Sequence, residues 1–409
     1  MRGVRAVECH CTRSIGEGPV IEFKNYKLKE LASIITGSTP KASEPDSWGN
    51  TIPFITPSDQ VDGLRNVTAS RYLSPAGRAK LIKRLVPEGA TNLTCIGATI
   101  GKVTQATEES CTNQQINSLL AKPSICDANF LYYMTSNWSA RLKLEASGSA
   151  TPIVNKTTLG NYEFCVPTLH NQQAIAEVLG ALDDKIAANS KLASATDKYL
   201  ASLFSQTTGG AKEVSLGEIA QVNPDRRTPE DGKTIKYIDI ASVGIGMHAP
   251  SETIPWGEAP SRARRGLIHG DTIWSTVRPN RRSHSLNLSD DQTLVASTGL
   301  AVLRPPKHCI AYVYEATKRP EFTSYLENVA EGSAYPAVRA DRFLSAPIPW
   351  AEASWREEFE AKAMPLRQLV HTQRENSETL SSLRDSLLPH LMSGTLRVKD
   401  AENLVSDAI

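Results

Sequence analysis

The chain has 409 residues, 40% of them hydrophobic and 22% charged, with a formal net charge of +1. That is an ordinary globular composition with room for two or three domains. No apolar run reaches the roughly 20 residues of a membrane span, and the near-zero charge excludes a uniformly basic coat, so charge that meets nucleic acid has to be local.

Residues 1–22 read as a loose, basic arm without the apolar core of a secretory leader. Cys9-His10-Cys11 lacks the spacing and the second pair of a zinc site and reads as ordinary thiols. All seven cysteines, odd in number and irregularly spaced, are expected to be the reduced thiols of a cytoplasmic protein. A first compact domain is expected over 23–167. Lys27 to Gly37 is a short helix or a strand. Ile52-Pro-Phe-Ile opens as a strand into the polar loop around Ser58. Ala90 to Val103 is β-branched and broken by Gly97 and Gly101, which mark bulges or a backbone that admits a ligand closely. Cys111 to Ala121 is a strand with a polar head, and Asn129 to Ala146 a helix.

Pro167 to Gln206 has no further proline, and Ile175, Val178, Leu179, Leu182 and Ile186 recur at the helical period. A helix of about 35 residues would be ~52 Å long. Thr207-Thr-Gly-Gly-Ala-Lys is a joint, and a second domain follows over 207–350. Strands are expected over Thr234 to Val243, from Asp271 into the basic loop at Arg278, and from Leu294 to Leu303, then a helix over Glu321 to Glu327. A second long helix covers 351–394, with Pro365 as a kink or a break near its start, and 395–409 is a tail.

The two halves repeat. Leu28-Lys-Glu-Leu-Ala matches Leu216-Gly-Glu-Ile-Ala, Gly148-Ser-Ala-Thr-Pro matches Gly332-Ser-Ala-Tyr-Pro, and Leu159 to Pro167 matches Phe343 to Pro349. An offset of about 185 residues is too long for a solenoid and fits two whole domains, each trailed by a helix. On the first helix Ile175, Leu182, Asn189 and Leu203 share a heptad position. On the second, Leu366, Gln373, Leu380 and Leu387 do, with Leu369 and Asn376 beside them. Either the polar middles are buried and fix register, placing Asn189 near Gln373 or Asn376 in an antiparallel pair, or they face solvent at a kink.

The run from Pro167 to Asn189, and Leu387-Leu-Pro-His-Leu-Met-Ser-Gly-Thr-Leu-Arg-Val, resemble the helical regions of the DNA-specificity subunits of type I restriction–modification systems. The resemblance spans about Tyr26 to Val398; residues 1–22 lie outside it. It implies an α+β fold: two repeated mixed α/β target-recognition domains separated by a long antiparallel two-helix coiled coil, related by a pseudo-two-fold. It implies a non-catalytic protein reading a bipartite, asymmetric target in double-stranded DNA. The implied partners are two methyltransferase (modification) subunits and restriction (motor-nuclease) subunits. S-adenosylmethionine and ATP would bind those partners, so no cofactor is expected here.

The residues carry no phosphate loop, no metal spacing and no catalytic constellation. DNA contacts are the remaining chemistry. Arg278, Asn280, Arg281, Arg282 and His284 lie in the basic loop, after Ser275. Arg262, Arg264 and Arg265 lie upstream. Arginine clamps guanine edges or binds phosphate; a solvated surface is the equal alternative. The equivalent first-domain loop carries Thr99 and Lys102, followed by Asn113 and Gln114, whose amides suit adenine edges or a turn. Thr56, Ser58 and Gln60 complete the set. A two-domain protein-binding scaffold that does not read DNA is the competing reading; salt-dependent duplex binding separates the two.

Overall fold

A computed structural model describes residues 12–13, 21–146, 153–249, 251–332 and 335–409. Cys9-His10-Cys11 and the Gly148 to Pro152 motif lie outside the described residues. The chain forms two compact units, Met1–Asn189 with Asn376–Ile409, and Ser190–Glu375. Both divisions fall within the long helices, so each unit holds one globular domain and half of each helix.

The first unit runs β1 (Thr12–Arg13), β2 (Ile21–Lys27), α1 (Leu28–Leu31), β3 (Ala32–Thr36), β4 (Trp48–Gly49), β5 (Ile52–Ile55), β6 (Arg71–Leu73), α2 (Pro75–Lys80), β7 (Leu85–Val86), β8 (Thr91–Thr94), β9 (Val103–Gln105), β10 (Ser110–Thr112), β11 (Ile116–Ala121), α3 (Ala128–Ala146), α4 (Lys156–Gly160) and β12 (Glu163–Pro167) into the long helix α5 (Leu169–Thr207). The second runs β13 (Lys212–Ser215), β14 (Gln221–Val222), β15 (Thr234–Ile238), β16 (Thr253–Pro255), β17 (Ala263–Gly266), β18 (Thr272–Ser275), β19 (His284–Leu286), β20 (Leu294–Ser297), β21 (Leu300–Arg304), α6 (Ile310–Lys318), α7 (Pro320–Val329), α8 (Ala340–Leu344) and β22 (Pro347–Trp350) into α9 (Ala353–Ser393). Helix α10 (Val398–Ser406) returns to the first unit, burying Ala401 and Val405.

The repeat is a repeat of topology. One sheet is β3-β11-β8-β9 in the first unit and β14-β21-β18-β19 in the second. The other is β4-β6-β5-β10-β7 against β16-β15-β20-β17. In both, the central neighbours β5/β10 and β15/β20 are parallel. Entry and exit strands close each domain, β2 on β12 and β13 on β22. The motif Leu-x-Glu explains itself there. Leu28 and Leu216 are buried, and their amides donate to the Tyr162 and Ala346 carbonyls, each at 2.9 Å. Glu30 and Glu218 accept from the backbone N–H three residues back, Lys27 at 2.6 Å and Ser215 at 2.9 Å, the acidic half of a capping box.

The helix halves pack onto their own domain. In the first unit Ile175, Leu179, Leu182 and Ile186 join Leu380, Leu387 and Leu391 in the core under α3. Fully burying such a side chain stabilises by about 1.5–3 kcal/mol. Asp183 pairs with Arg384, and Asn189 Nδ2 donates to Ser377 Oγ at 3.0 Å, so the segments are antiparallel. In the second unit Leu200 and Phe204 meet Phe359 and Ala363, with Leu203 and Leu366 half-buried beside them. Asp197 pairs with Arg367 and Phe204 meets Phe359 edge to face, ring centroids 5.4 Å apart, again antiparallel.

Several expectations need correction. Asn189 is buried, the first of the two alternatives, and its Nδ2 donates to Ser377, the neighbour of Asn376 in sequence; Asn376 itself is exposed, Gln373 half-buried and Leu369 39% exposed. The inner face of α9 uses Arg367 and Arg384 instead, which an apolar period counts as outward. Pro365 sits on the exposed side of an unbroken α9, where the carbonyl freed by its missing N–H faces water. Helix α6 was not anticipated: it is buried over nearly every residue, so no amphipathic period marks it. Cys95, Cys111, Cys126 and Cys309 are free and buried, and burial raises Cys95 and Cys111 to about 11. Cys165 departs from the all-reduced expectation, being disulfide-bonded. Among the described residues no helix is long and apolar enough to cross a membrane.

Candidate nucleic-acid interface

In the second domain three segments converge beyond the C-terminal end of β20. The two-residue turn Thr298-Gly299 joins β20 to β21. Its Thr298 N–H donates to the Arg262 carbonyl at 2.8 Å, and its Gly299 carbonyl accepts from Thr276 N–H at 2.9 Å. The turn thus fixes the start of β17 and the end of β18 side by side, which gathers Arg262, Arg264 and the basic loop 276–283 on one edge. That loop is a 3-10 turn, Pro279–Arg281, bracketed by Arg278 at φ +52° and Arg282 at φ +54°. Left-handed backbone is uncommon for a residue with a Cβ and is stored where surrounding contacts over-determine it. The contacts are visible. Arg278 N–H donates to the Pro336 carbonyl at 2.8 Å. Its guanidinium lies 4.5 Å from the ring centroid of Tyr335, which is 68% exposed. Arg282 Nη2 donates to the Lys318 carbonyl at 2.7 Å. Asn280 and Arg281 are left exposed at the tip.

Beneath the loop, His284 stacks on Trp274, ring centroids 5.0 Å apart and 15° between planes. Its Nδ1–H donates to the Arg282 carbonyl at 2.7 Å. Burial depresses this imidazole to about 4, because the charged form would lose its hydration. Arg265 bridges across to Arg226. Burial, and then the charge of Arg226, lower its pKa, and its Nε has no partner among the described residues. Two adjacent guanidiniums without a carboxylate between them suit an anion.

The first domain builds the same edge from different residues. Cys95 N–H donates to the Gln115 carbonyl at 2.8 Å, as Thr276 does to Gly299, and Val154 N–H donates to the Cys95 carbonyl at 2.9 Å, as Val338 does to Thr276 at 2.8 Å. The loop between β8 and β9 turns through Gly97 (φ +90°) and Gly101 (φ +85°). Its Lys102 Nζ donates to the Gln60 and Pro57 carbonyls at 2.7 and 3.1 Å. After β5, Thr56 and Ser58 share a 2.7 Å hydroxyl contact. Burial raises the Asp59 carboxyl, but hydrogen bonds from Ser70 and Thr56 outweigh it and hold the group below the usual range, so Asp59 fixes the turn as a carboxylate. Gln114 is exposed and accepts from Thr39 Oγ1 at 2.7 Å. Asn113 is turned inward, bonded to Gln115 through both side-chain amide atoms.

Residues 21–195 match the family described as the type I restriction modification DNA specificity domain. Over 411 residues the chain is 24% identical to the type I restriction enzyme MjaIX specificity subunit of Methanocaldococcus jannaschii, covering 91% of this chain and 93% of that one. Residues 21–195 thus carry the type I DNA specificity domain, and over nearly its whole length the chain is similar to type I specificity subunits. It is also 31% identical over 143 residues to the HindI specificity subunit of Haemophilus influenzae, covering 34% of this chain and 31% of that one. Its fold is similar to the S subunit of a type I system from M. genitalium, with TM-score 0.57 and 16% identity over 91% of this chain and 96% of that one. A specificity subunit supplies sequence recognition, not catalysis.

Against that role, the anticipated residues separate by what their side chains are free to do. Ser58, Gln114, Arg262, Asn280 and Arg281 are exposed; Thr56, Thr99, Arg264, Arg265 and Arg278 are half-buried at the same edges. Gln60 is 1% exposed, its amide donating to the Asn92 carbonyl and Thr104 Oγ1, each at 2.9 Å. Ser275 is buried and donates to the Val277 carbonyl at 2.8 Å. With Lys102, Asn113, Arg282 and His284, these two hold loops in shape. Topological equivalence also brings out residues the sequence did not single out. Val86 and Leu85 pair with β10 where Gly266 and Arg265 pair with β20. Arg84, exposed like its neighbour Lys83, therefore stands where Arg264 stands in the other domain, with Lys83 beside it. The signal, two basic residues before a short strand, is legible only once the sheets are aligned. Arg226 and Tyr335 were missed for the same reason.

Proposed function

We propose that this specificity subunit reads a bipartite, asymmetric sequence in double-stranded DNA, one part with the loop edge of each domain. The observation that carries the reading is the basic Arg262–Arg278–Arg281 edge held by the Thr298-Gly299 turn, Arg262 and Arg281 exposed and Arg278 half-buried, with a polar, differently composed edge at the equivalent place in the first domain. Equal scaffolds with unequal loops suit two unequal half-sites. Arg278, Arg281, Gln114 and Ser58 are the base-contacting set, Arg262, Arg264, Arg265, Arg226, Lys83 and Arg84 the phosphate-contacting set, and Gln60, Asn113, Ser275, Arg282, His284 and Lys102 their supports. The functional segments are 23–167 and 207–350 as readers, 168–206 and 351–394 as spacer, with an arm over 1–22 and a tail over 395–409. The helices carry two modification subunits, which restriction subunits join, in the cytoplasm where the DNA lies.

The test is the methylation pattern left by the chain co-expressed with its modification subunit. Two short blocks separated by a fixed unspecified gap are expected. A single continuous motif, or methylation indifferent to replacement of the second domain, would refute the reading.

A further inference from the structure

Each unit has a buried ion pair between the two long helices, with the acid on α5 and the base on α9 in both. In the first unit the acid is on α5 and the base on α9: Asp183 with Arg384, side chains 5% and 6% exposed. Tyr133 Oη adds a hydrogen bond to Asp183 at 2.6 Å. In the second unit the pair is Asp197 with Arg367, and one set of equivalent positions has exchanged sign. Residues 184 apart correspond along the helices: Ile175 with Phe359, Leu182 with Leu366, Asn189 with Gln373, Leu203 with Leu387. By that correspondence Arg367 on α9 occupies the place that Asp183 occupies on α5. Arg367 is 4% exposed and is also bonded to Glu315, and Lys318 completes the cluster on Asp197 at 3.0 Å.

The consequence follows from register. The two helices are repeats of one another, so their apolar faces do not distinguish α5 from a second α5. Laid against a second α5 in the chain's own register, α5 would set Asp183 opposite Asp197, twice by symmetry. A second α9 laid against α9 would set Arg367 opposite Arg384, also twice. Like charges at buried positions, each deprived of its partner and of water, are strongly disfavoured. We infer that the Asp183–Arg384 and Arg367–Asp197 pairs are a pairing code that admits α5 only against α9 and rejects helix exchange with a second copy of this chain. The code is needed because the repeat would otherwise let two chains assemble into mismatched pairs of like domains. It uses all four charges, since neither pair alone opposes both homotypic pairings.

The test uses full-length chain carrying two different tags, co-expressed and captured through one of them. Wild type should carry little of the other tag. Reversing one pair, Asp183→Arg with Arg384→Asp, leaves α5 and α9 complementary within a chain but also makes each helix complementary to its own copy. Mixed capture should rise at least about fivefold, with a dimer in light scattering. The reversed pair also loses the Tyr133 and Gly63 contacts, so a gentler variant accompanies it. Asp183→Asn with Asp197→Asn removes the acid–acid contact together with the α5 carboxylates that face Arg384 and Arg367, and should raise capture by a smaller factor. Helical circular dichroism and cooperative melting report folding in each case. Folded Asp183→Asn/Asp197→Asn chain that captures no more than wild type overturns the code, as does wild-type chain that captures its second copy as readily as the reversed variant.

Discussion

The two domains solve one geometric problem with different residues. Each must turn the chain sharply between two adjacent strands of an equivalent sheet, β8–β9 or β18–β19, and hold that turn against the β10–β11 or β20–β21 connection. The first domain uses Gly97 and Gly101, which take positive φ freely. The second uses Arg278 and Arg282, also at positive φ, where a Cβ makes the conformation cost about 1–3 kcal/mol each. The strain is kept where a guanidinium is displayed and is held by the Pro336 and Lys318 carbonyls and the Tyr335 ring. The comparison teaches that the scaffold requires the turn, while the displayed side chain is the variable part. The first edge offers Ser58 and Gln114, amide and hydroxyl chemistry; the second offers charge.

The comparison breaks most visibly if the charged edge is not a reader. Arg278→Ala with Arg281→Ala should lower affinity for cognate duplex, measured with modification subunits present, by ~100-fold or more if each makes a base contact of about 1–3 kcal/mol. Unchanged methylation of the cognate site would remove this loop from the interface. The packing beneath it has its own pH signature. His284 is depressed to about 4 from 6.5, so the unfolded state binds the proton first. Stability is complete above about pH 6.5 and falls progressively towards pH 4, by on the order of 3 kcal/mol. Melting of the His284→Gln variant should be flatter over that window; identical slopes would mean the imidazole is not buried as described.

Lys83→Ala with Arg84→Ala should weaken binding about equally for cognate and unrelated duplex and reduce the salt slope by ~0.9 per phosphate lost. A sequence-dependent loss would move these residues into the base-contacting set. The smallest effect sharpens the glycine–arginine contrast. Arg278→Gly removes the left-handed strain together with the Tyr335 contact, worth about 0.5–1 kcal/mol, so thermal stability should not fall while DNA affinity does. A clear drop in melting temperature would show that the arginine is there to hold the loop.

Much of the edge was legible in the residues. Arg278, Arg281 and Arg262 stood out because strand–basic-loop chemistry is local, and Gly97 and Gly101 marked a turn for the same reason. Gln60, Asn113, Ser275 and His284 carried the same polar chemistry, yet the structure spends their hydrogen bonds inside, since a donor or acceptor faces a ligand only if nothing nearer satisfies it. Lys83, Arg84 and Tyr335 were illegible because their role depends on which strands become neighbours. The helices divide similarly. Their length and the repeat follow from periodicity, a property of neighbours along the chain, whereas periodicity left Asn189 either buried or facing solvent and the structure buries it. That Arg367 and Arg384 lie inside and Leu369 outside was decided by tertiary structure, because a buried charge is tolerated only where an opposite charge from a distant segment meets it.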